Sequence, residues 1–285
     1  MYTLKETCCG SAALTLHLLG ARQQVLPYQG SKWRYRRVLT GIIRRIGCSG
    51  VPRRVELYDP SPWGVTAGCI IDAKCRAGVI DRLRFMNRLD PKQVFLALHN
   101  HPVPKDDVKF ATEYLFLQRI AFSGKAVGIR DGKWNSPGFN GSSAYGLPGT
   151  ARFGYVLPMI PSLIRNLESY SNLIVPERLE KYRSNAPLPR SHCTESTIVY
   201  IDPPYQGSTP YPDGNLSREE VIILAHAWHD AGALVLVSEG EPLSTLIKDG
   251  WLEMKISKSK NDASPFRGKH EEWLTLSPSI RNAIE

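Results

Sequence analysis

The sequence predicts an α/β fold with a largely parallel sheet covered by helices on both faces. Three short runs rich in apolar and β-branched residues, 2–6, 55–59 and 197–202, each close on an acid: Glu6, Asp59 and Asp202. Stretches with helical spacing of apolar residues separate them, the alternation that builds parallel α/β sheets. Carboxylates at the C-terminal ends of such strands stand where open α/β sheets bind ligands.

Composition narrows the class further. A chain of 285 residues with 42% hydrophobic content buries a substantial core, as one large domain or one domain with an insertion. Lys and Arg outnumber Asp and Glu by 36 to 27, a formal charge of +9 that favours a polyanionic partner. Six cysteines lack a CxxC pair, so reduced thiols in a cytoplasmic compartment are expected and no metal site is. No apolar run reaches membrane-spanning length, and the first residues lack the charged start and apolar core of a secretory signal.

The first strand runs into Thr7-Cys8-Cys9-Gly10-Ser11-Ala12, then a helix over 12–19 closed by Gly20. Small residues at such a turn let backbone amides approach a ligand closely, although any tight turn uses them. Pro27-Tyr28-Gln29-Gly30-Ser31-Lys32 precedes a basic helix over 33–46 and reads equally as a glycine turn capping it. Arg34, Arg36, Arg37, Arg44 and Arg45 suit phosphates or a solvated helix face in equal measure. Asp59 ends the second strand, where nucleoside-binding α/β folds carry a carboxylate for ribose hydroxyls. The alternative is a helix N-cap before Val65.

Residues 66–121 read as mostly helical, with an apolar helix over 93–99, a break at Pro102-Val103-Pro104 and an amphipathic helix over 109–122. From 123 to 149 glycines punctuate a polar, aromatic stretch that reads as a long loop. There Arg130 and Lys133 suit phosphates, while Trp134, Asn135 and Asn140 suit base stacking and base edges. A helix over 157–170 and a basic linker over 175–191 follow. The expected division is a catalytic unit of 1–122 with 192–285, and an inserted recognition region and linker over 123–191.

The third strand stops abruptly at two prolines in Asp202-Pro203-Pro204-Tyr205. A carboxylate and the Pro203 carbonyl could accept both hydrogens of an exocyclic amine, and the Tyr205 ring could stack on a base swung out of its helix. The prolines fix those acceptors, which limits reorganisation during reaction. Beyond a loop over 206–214, Ser217 and Glu220 form a capping box for a helix to residue 229. A buried strand over 233–237, a short helix over 243–248, a polar loop over 255–270 and a closing strand over 272–276 complete the chain.

At the end of such a strand, the tetrad resembles the catalytic motif of the N6-adenine DNA methyltransferases. Glu6 and Gly10 match the acid and first glycine of the Dam-type cofactor loop, while Cys8 and Ala12 replace its aromatic residue and last glycine. The Pro-Tyr-x-Gly-Ser-Lys string resembles that family's second cofactor element, which there precedes the loop and here follows it. The resemblance implies a class I methyltransferase (Rossmann-like) fold with a small inserted recognition region. It implies S-adenosylmethionine held by Glu6, Cys9, Gly10, Ser11, Ala12, Tyr28, Gly30, Ser31, Lys32 and Asp59. It implies methylation of a flipped adenine in double-stranded DNA by Asp202, Pro203, Pro204 and Tyr205, with no metal, in a prokaryotic or phage-encoded, restriction-modification-like setting; the oligomeric state stays open, with a monomer as the default. Two alternatives stand beside it: a non-enzymatic DNA-binding relative with a degenerate cofactor loop, and an RNA or N4-cytosine amino-methyltransferase.

Overall fold

Period-two alternation in the buried runs builds the sheet. The computed structural model describes residues 1–26, 31–121, 126–141, 144, 159–193, 196–205, 216–256 and 271–284. Their strands are β1 (Thr3–Thr7), β2 (Arg54–Tyr58), β3 (Gly128–Arg130), β4 (Lys133–Asn135), β5 (Arg178–Tyr182), β6 (Thr197–Ile201), β7 (Leu234–Glu239), β8 (Leu252–Lys255) and β9 (Trp273–Leu276). Their α-helices are α1 (Ala13–Leu18), α2 (Arg36–Arg45), α3 (Trp63–Ile71), α4 (Ala73–Met86), α5 (Pro91–Leu98), α6 (Asp107–Ile120), α7 (Met159–Glu168), α8 (Arg218–Asp230), α9 (Ser244–Lys248) and α10 (Pro278–Ile284). None is long and apolar enough to cross a membrane.

Seven strands form one sheet in the order β5-β2-β1-β6-β7-β9-β8. The first five run parallel, and β9 runs antiparallel to both its neighbours. In β6 every residue is buried: Ile198 and Tyr200 enter one apolar cluster, Val199 and Ile201 another. A strand buried on both faces belongs in the middle of a sheet, and β6 lies fourth of the seven. The cluster around Ile198 and Tyr200 contains Leu14 of α1, Leu39 and Ile43 of α2 and Ile280 of α10. The cluster around Val199 and Ile201 contains Val221, Leu224 and Trp228 of α8 and Leu246 of α9. A third cluster joins Val55 and Leu57 of β2 to α3, α4, α6 and α7.

The residues of β2 that alternate with Val55 and Leu57 are charged or aromatic. Glu56 pairs with Lys5 and with Arg54, and Arg54 reaches Glu180 on β5 at 3.2 Å. Tyr58 and Tyr182 stack with ring centroids 4.7 Å apart. These cross-strand pairs do on β1, β2 and β5 what apolar contacts do elsewhere in the sheet.

Four sequence expectations change. The supposed linker over 175–191 contains β5, an edge strand of the main sheet. The supposed loop after residue 123 contains the β3–β4 hairpin, closed by Asp131 and Gly132, both at positive φ (51° and 69°), as a type I′ turn requires. The last strand, β9, lies inside the sheet, and the unanticipated β8 forms the edge. Cys69 and Cys75, expected as free thiols, form a disulfide; α3 ends and α4 begins between them, which brings their Cα atoms to 5.2 Å. Cys8, Cys9, Cys48 and Cys193 are free.

Candidate active site

The C-terminal edge of the parallel strands gathers the tetrad, a lysine and several acids. Asp202 directly follows β6, and its N–H donates to the Thr7 carbonyl at 3.2 Å, extending the pairing with β1. Ser238 of neighbouring β7 donates to Asp202 Oδ1 at 3.0 Å and lies 3.0 Å from the Tyr200 hydroxyl. Lys32 opens a 3₁₀ turn whose N-cap is Ser31. Its Nζ lies 2.7 Å from Asp202 Oδ1, 3.6 Å from Glu272 Oε1 and 4.5 Å from the centroid of the Tyr205 ring. The Tyr205 hydroxyl donates to Glu272. Glu272 reaches this edge because β9 is reversed, so the residue before it sits where its neighbours end. Gly240 faces Tyr205: a Cβ there would lie 3.2 Å from the ring.

The turn after β1 is built from left-handed residues, with Cys8, Gly10 and Ala12 at φ of 53°, 47° and 49°. The Cys9 N–H donates to the Tyr58 carbonyl at 3.0 Å. Asp59 then clamps the turn, its Oδ2 accepting from Gly10 N–H at 2.8 Å and its Oδ1 from Ser61 N–H at 2.9 Å. It does not cap α3, whose N-cap is Pro62. Ser11 and Ser31 Oγ atoms are 3.0 Å apart, which ties this turn to the Lys32 segment. Glu6 lies deeper, 2% exposed, its carboxylate accepting from the N–H and hydroxyl of Thr15 in α1. It supports the turn from below. Gly10, Ser11, Ser31, Lys32, Asp59, Asp202 and Tyr205 thus come together, with Cys9 and Ala12 buried behind them. Tyr28 and Gly30 lie outside the described residues, as do 206–215 and 257–270.

Acids outnumber bases at this edge. Burial raises the Glu6 carboxyl to about 8 and those of Glu239 and Glu272 to about 7. Burial also raises Asp59 and Asp202; hydrogen bonds from Ser61 and Gly10 oppose it at Asp59, and Lys32 and Ser238 oppose it at Asp202. A cationic ligand would relieve the crowding of carboxylates that Lys32 meets only in part.

The residues expected to read DNA divide. Trp134 is fully buried, donates from Nε1 to Glu113 at 2.7 Å and packs on Phe110 and Tyr114. It belongs to the core and cannot stack on a base, because the ring is fully buried against α6, which also takes its N–H. Arg130 and Lys133 are exposed as a cross-strand pair flanking the hairpin turn. Asn135 and Asn140 are half-buried, and the Asn140 N–H donates to the Ile120 carbonyl.

Ser238, Glu239 and Glu272 were not among the expected site residues. The same signal that marks Asp59 and Asp202, an acid closing a buried run, marks Glu239. Nothing local marks Glu272, since its place depends on the direction of β9. No protein-family model matches the sequence, and no curated protein matches it as a relative.

Proposed function

We propose that the chain is an S-adenosylmethionine-dependent methyltransferase acting on the exocyclic N6 amine of adenine in DNA. The observation that carries this reading is the position of Asp202-Pro203-Pro204-Tyr205. The tetrad follows the central strand beside the β1 turn, where the sheet order reverses direction and α/β sheets accept ligands. Two further features support it. The sheet order, with its reversed strand between β7 and β8, agrees with the class I methyltransferase fold that the resemblance implies. The cluster of buried acids suits a ligand carrying a sulfonium charge, with Gly10, Ser11 and Asp59 at its nucleoside end and Lys32 near its reactive end.

S-adenosylmethionine supplies an electrophilic methyl group on sulfur. The protein's part is positioning. Asp202 and the Pro203 carbonyl accept the amine hydrogens, and Ser238 holds the Asp202 carboxylate at its angle. Tyr205 stacks on the base, its ring fixed by the hydroxyl bond to Glu272. Lys32 occupies the acceptor that the amine needs, so it withdraws toward Glu272 as the base enters. The proton lost from the amine passes to solvent.

One observation favours the non-catalytic relative: the Gly10 N–H already donates to Asp59, which removes a donor from the turn. Calorimetric titration with S-adenosylmethionine, followed by tritiated methyl transfer to duplex DNA, separates the two. Saturable cofactor binding and labelled adenine support the enzyme. DNA binding without cofactor binding supports the relative.

A further inference from the structure

A second site lies between α1 and α2, away from the carboxylates. Arg22, Arg36 and Arg37 line a cleft of about 380 Å³ together with His17, Gly20 and Ala21. It exists because α1 ends sharply. Gly20 at φ 102° lets Ala21 N–H bond the Leu16 carbonyl at 2.8 Å and Gly20 N–H bond the His17 carbonyl at 3.1 Å, a Schellman stop. The chain leaving that stop sets Arg22 beside the first turn of α2, which carries Arg36 and Arg37.

The cleft is oriented as well as charged. Arg36 donates from Nη1 to the Trp33 carbonyl at 2.6 Å and stacks 4.5 Å from the Trp33 ring, which His17 meets edge-on at 6.1 Å. The Arg36 Nε–H is buried without a hydrogen-bond partner, so the guanidinium has bonding capacity left over from the Trp33 contact. Five arginines elsewhere, Arg53, Arg54, Arg84, Arg178 and Arg218, each pair with a carboxylate. Among the described residues none of Arg22, Arg36 and Arg37 does, and no acid lines the cleft. Burial, and after it the charges of Arg36, Arg44 and Arg37, hold His17 below its ordinary pKa.

We infer that this cleft binds a phosphate group of the nucleic-acid backbone. Guanidinium forks match phosphate oxygens in shape as well as charge, and such contacts set the register of a duplex without reading its sequence. The inference rests on the nucleic-acid substrate proposed above but not on methyl transfer.

The test is fluorescence anisotropy of a labelled 20-bp duplex against potassium chloride, for the parent and for Arg22→Ala/Arg37→Ala. Both side chains are exposed, so the fold should survive. The expected result is a log–log salt slope smaller by about 0.9, the share of the one phosphate that the cleft neutralises, restored by Arg22→Lys/Arg37→Lys, with cofactor titration unmoved. Parallel slopes overturn the inference, as does a parent with no duplex affinity at low salt. Saturable binding of inorganic phosphate at constant ionic strength, with parallel duplex slopes, would assign the cleft to the free anion and overturn it too. A reduced slope in a protein that methylates nothing would uphold the cleft while ending the enzymatic reading.

Discussion

Glu272 touches both partners of the proposed amine site: it accepts from the Tyr205 hydroxyl and lies 3.6 Å from Lys32 Nζ. Removing it frees the ring that would stack on the base and the cation that must withdraw. Glu272→Ala should therefore slow methyl transfer at least tenfold, about 1.4 kcal/mol of barrier. Cofactor affinity should fall by less than the rate, since Asp59, Asp202 and Glu239 remain, and Glu272→Gln, which still accepts from Tyr205, should recover most of the rate. A purely structural residue would move both quantities together. Asp202→Ala should abolish transfer outright while the protein stays folded and binds cofactor; a rate within tenfold of the parent would end its proposed role. Glu6 acts differently, through stability. Its carboxyl sits near 8 against an ordinary value of 4.5, so the folded protein binds more protons than the unfolded chain between those limits. The stability this contributes is complete below about 4.5 and is lost as pH rises through about 8. Glu6→Gln cannot lose it. The melting temperature of the variant relative to the parent should therefore climb from pH 5 to pH 8.5. A difference that does not change with pH would mean that Glu6 is ionised throughout.

At the scale of elements, two glycines make opposite demands. Gly64 in α3 has no room: a Cβ there would lie 2.2 Å from the Tyr182 carbonyl oxygen and 2.5 Å from that of Asp59. Both are backbone atoms, so Gly64→Ala must part α3 from the ends of β5 and β2, at a cost of about 3 kcal/mol or more. Gly132 has open space but a left-handed φ of 69°, so Gly132→Ala should cost only about 1 kcal/mol. Urea unfolding of both variants checks the ranking, and equal midpoints would contradict it. The same elements explain what could be read from the chain. The strand β6 was legible because every one of its residues is buried between a polar lead-in and two prolines. The capping box of Ser217 and Glu220 was legible because it is local, and it forms as expected. In contrast, β5 reads Arg-Leu-Glu-Lys-Tyr, and its charges serve ion pairs with Arg54 and Asp107 that no local pattern reveals. The hairpin signal was present in Asp131-Gly132 and was outweighed by the glycines around it. Trp134 looked available for stacking only because its partner Glu113 is distant in sequence. At the site, the strand-end acids and the tetrad were visible, whereas the roles of Glu272 and Ser238 depend on which strands are neighbours.

At the scale of the whole molecule, the formal charge of +9 is unevenly distributed, with carboxylates gathered at the strand ends and uncompensated arginines around α1 and α2. The sheet has a further property. Its strands β1 and β6 pair Thr3 with Thr197, so β1, which meets β2 on one side within some 51 residues, waits some 194 residues for its neighbour on the other. At a synthesis rate of roughly 5–20 residues per second, that interval is about 10–40 s. Contacts among α3, α4, α6 and α7 span far shorter stretches of chain, and low contact order favours early formation. Pulse-labelled hydrogen exchange during refolding should therefore find the amides of α4 and α6 protected before those of β1 and β6; simultaneous protection would contradict this order. Every residue assigned to the amine site stands on the seam between those late strands or beyond it. A chain stalled before residue 197 thus holds β1, β2 and β5 and the helices packed on them, but lacks the strand that carries Asp202 and the two strands that bring Ser238 and Glu272 beside it.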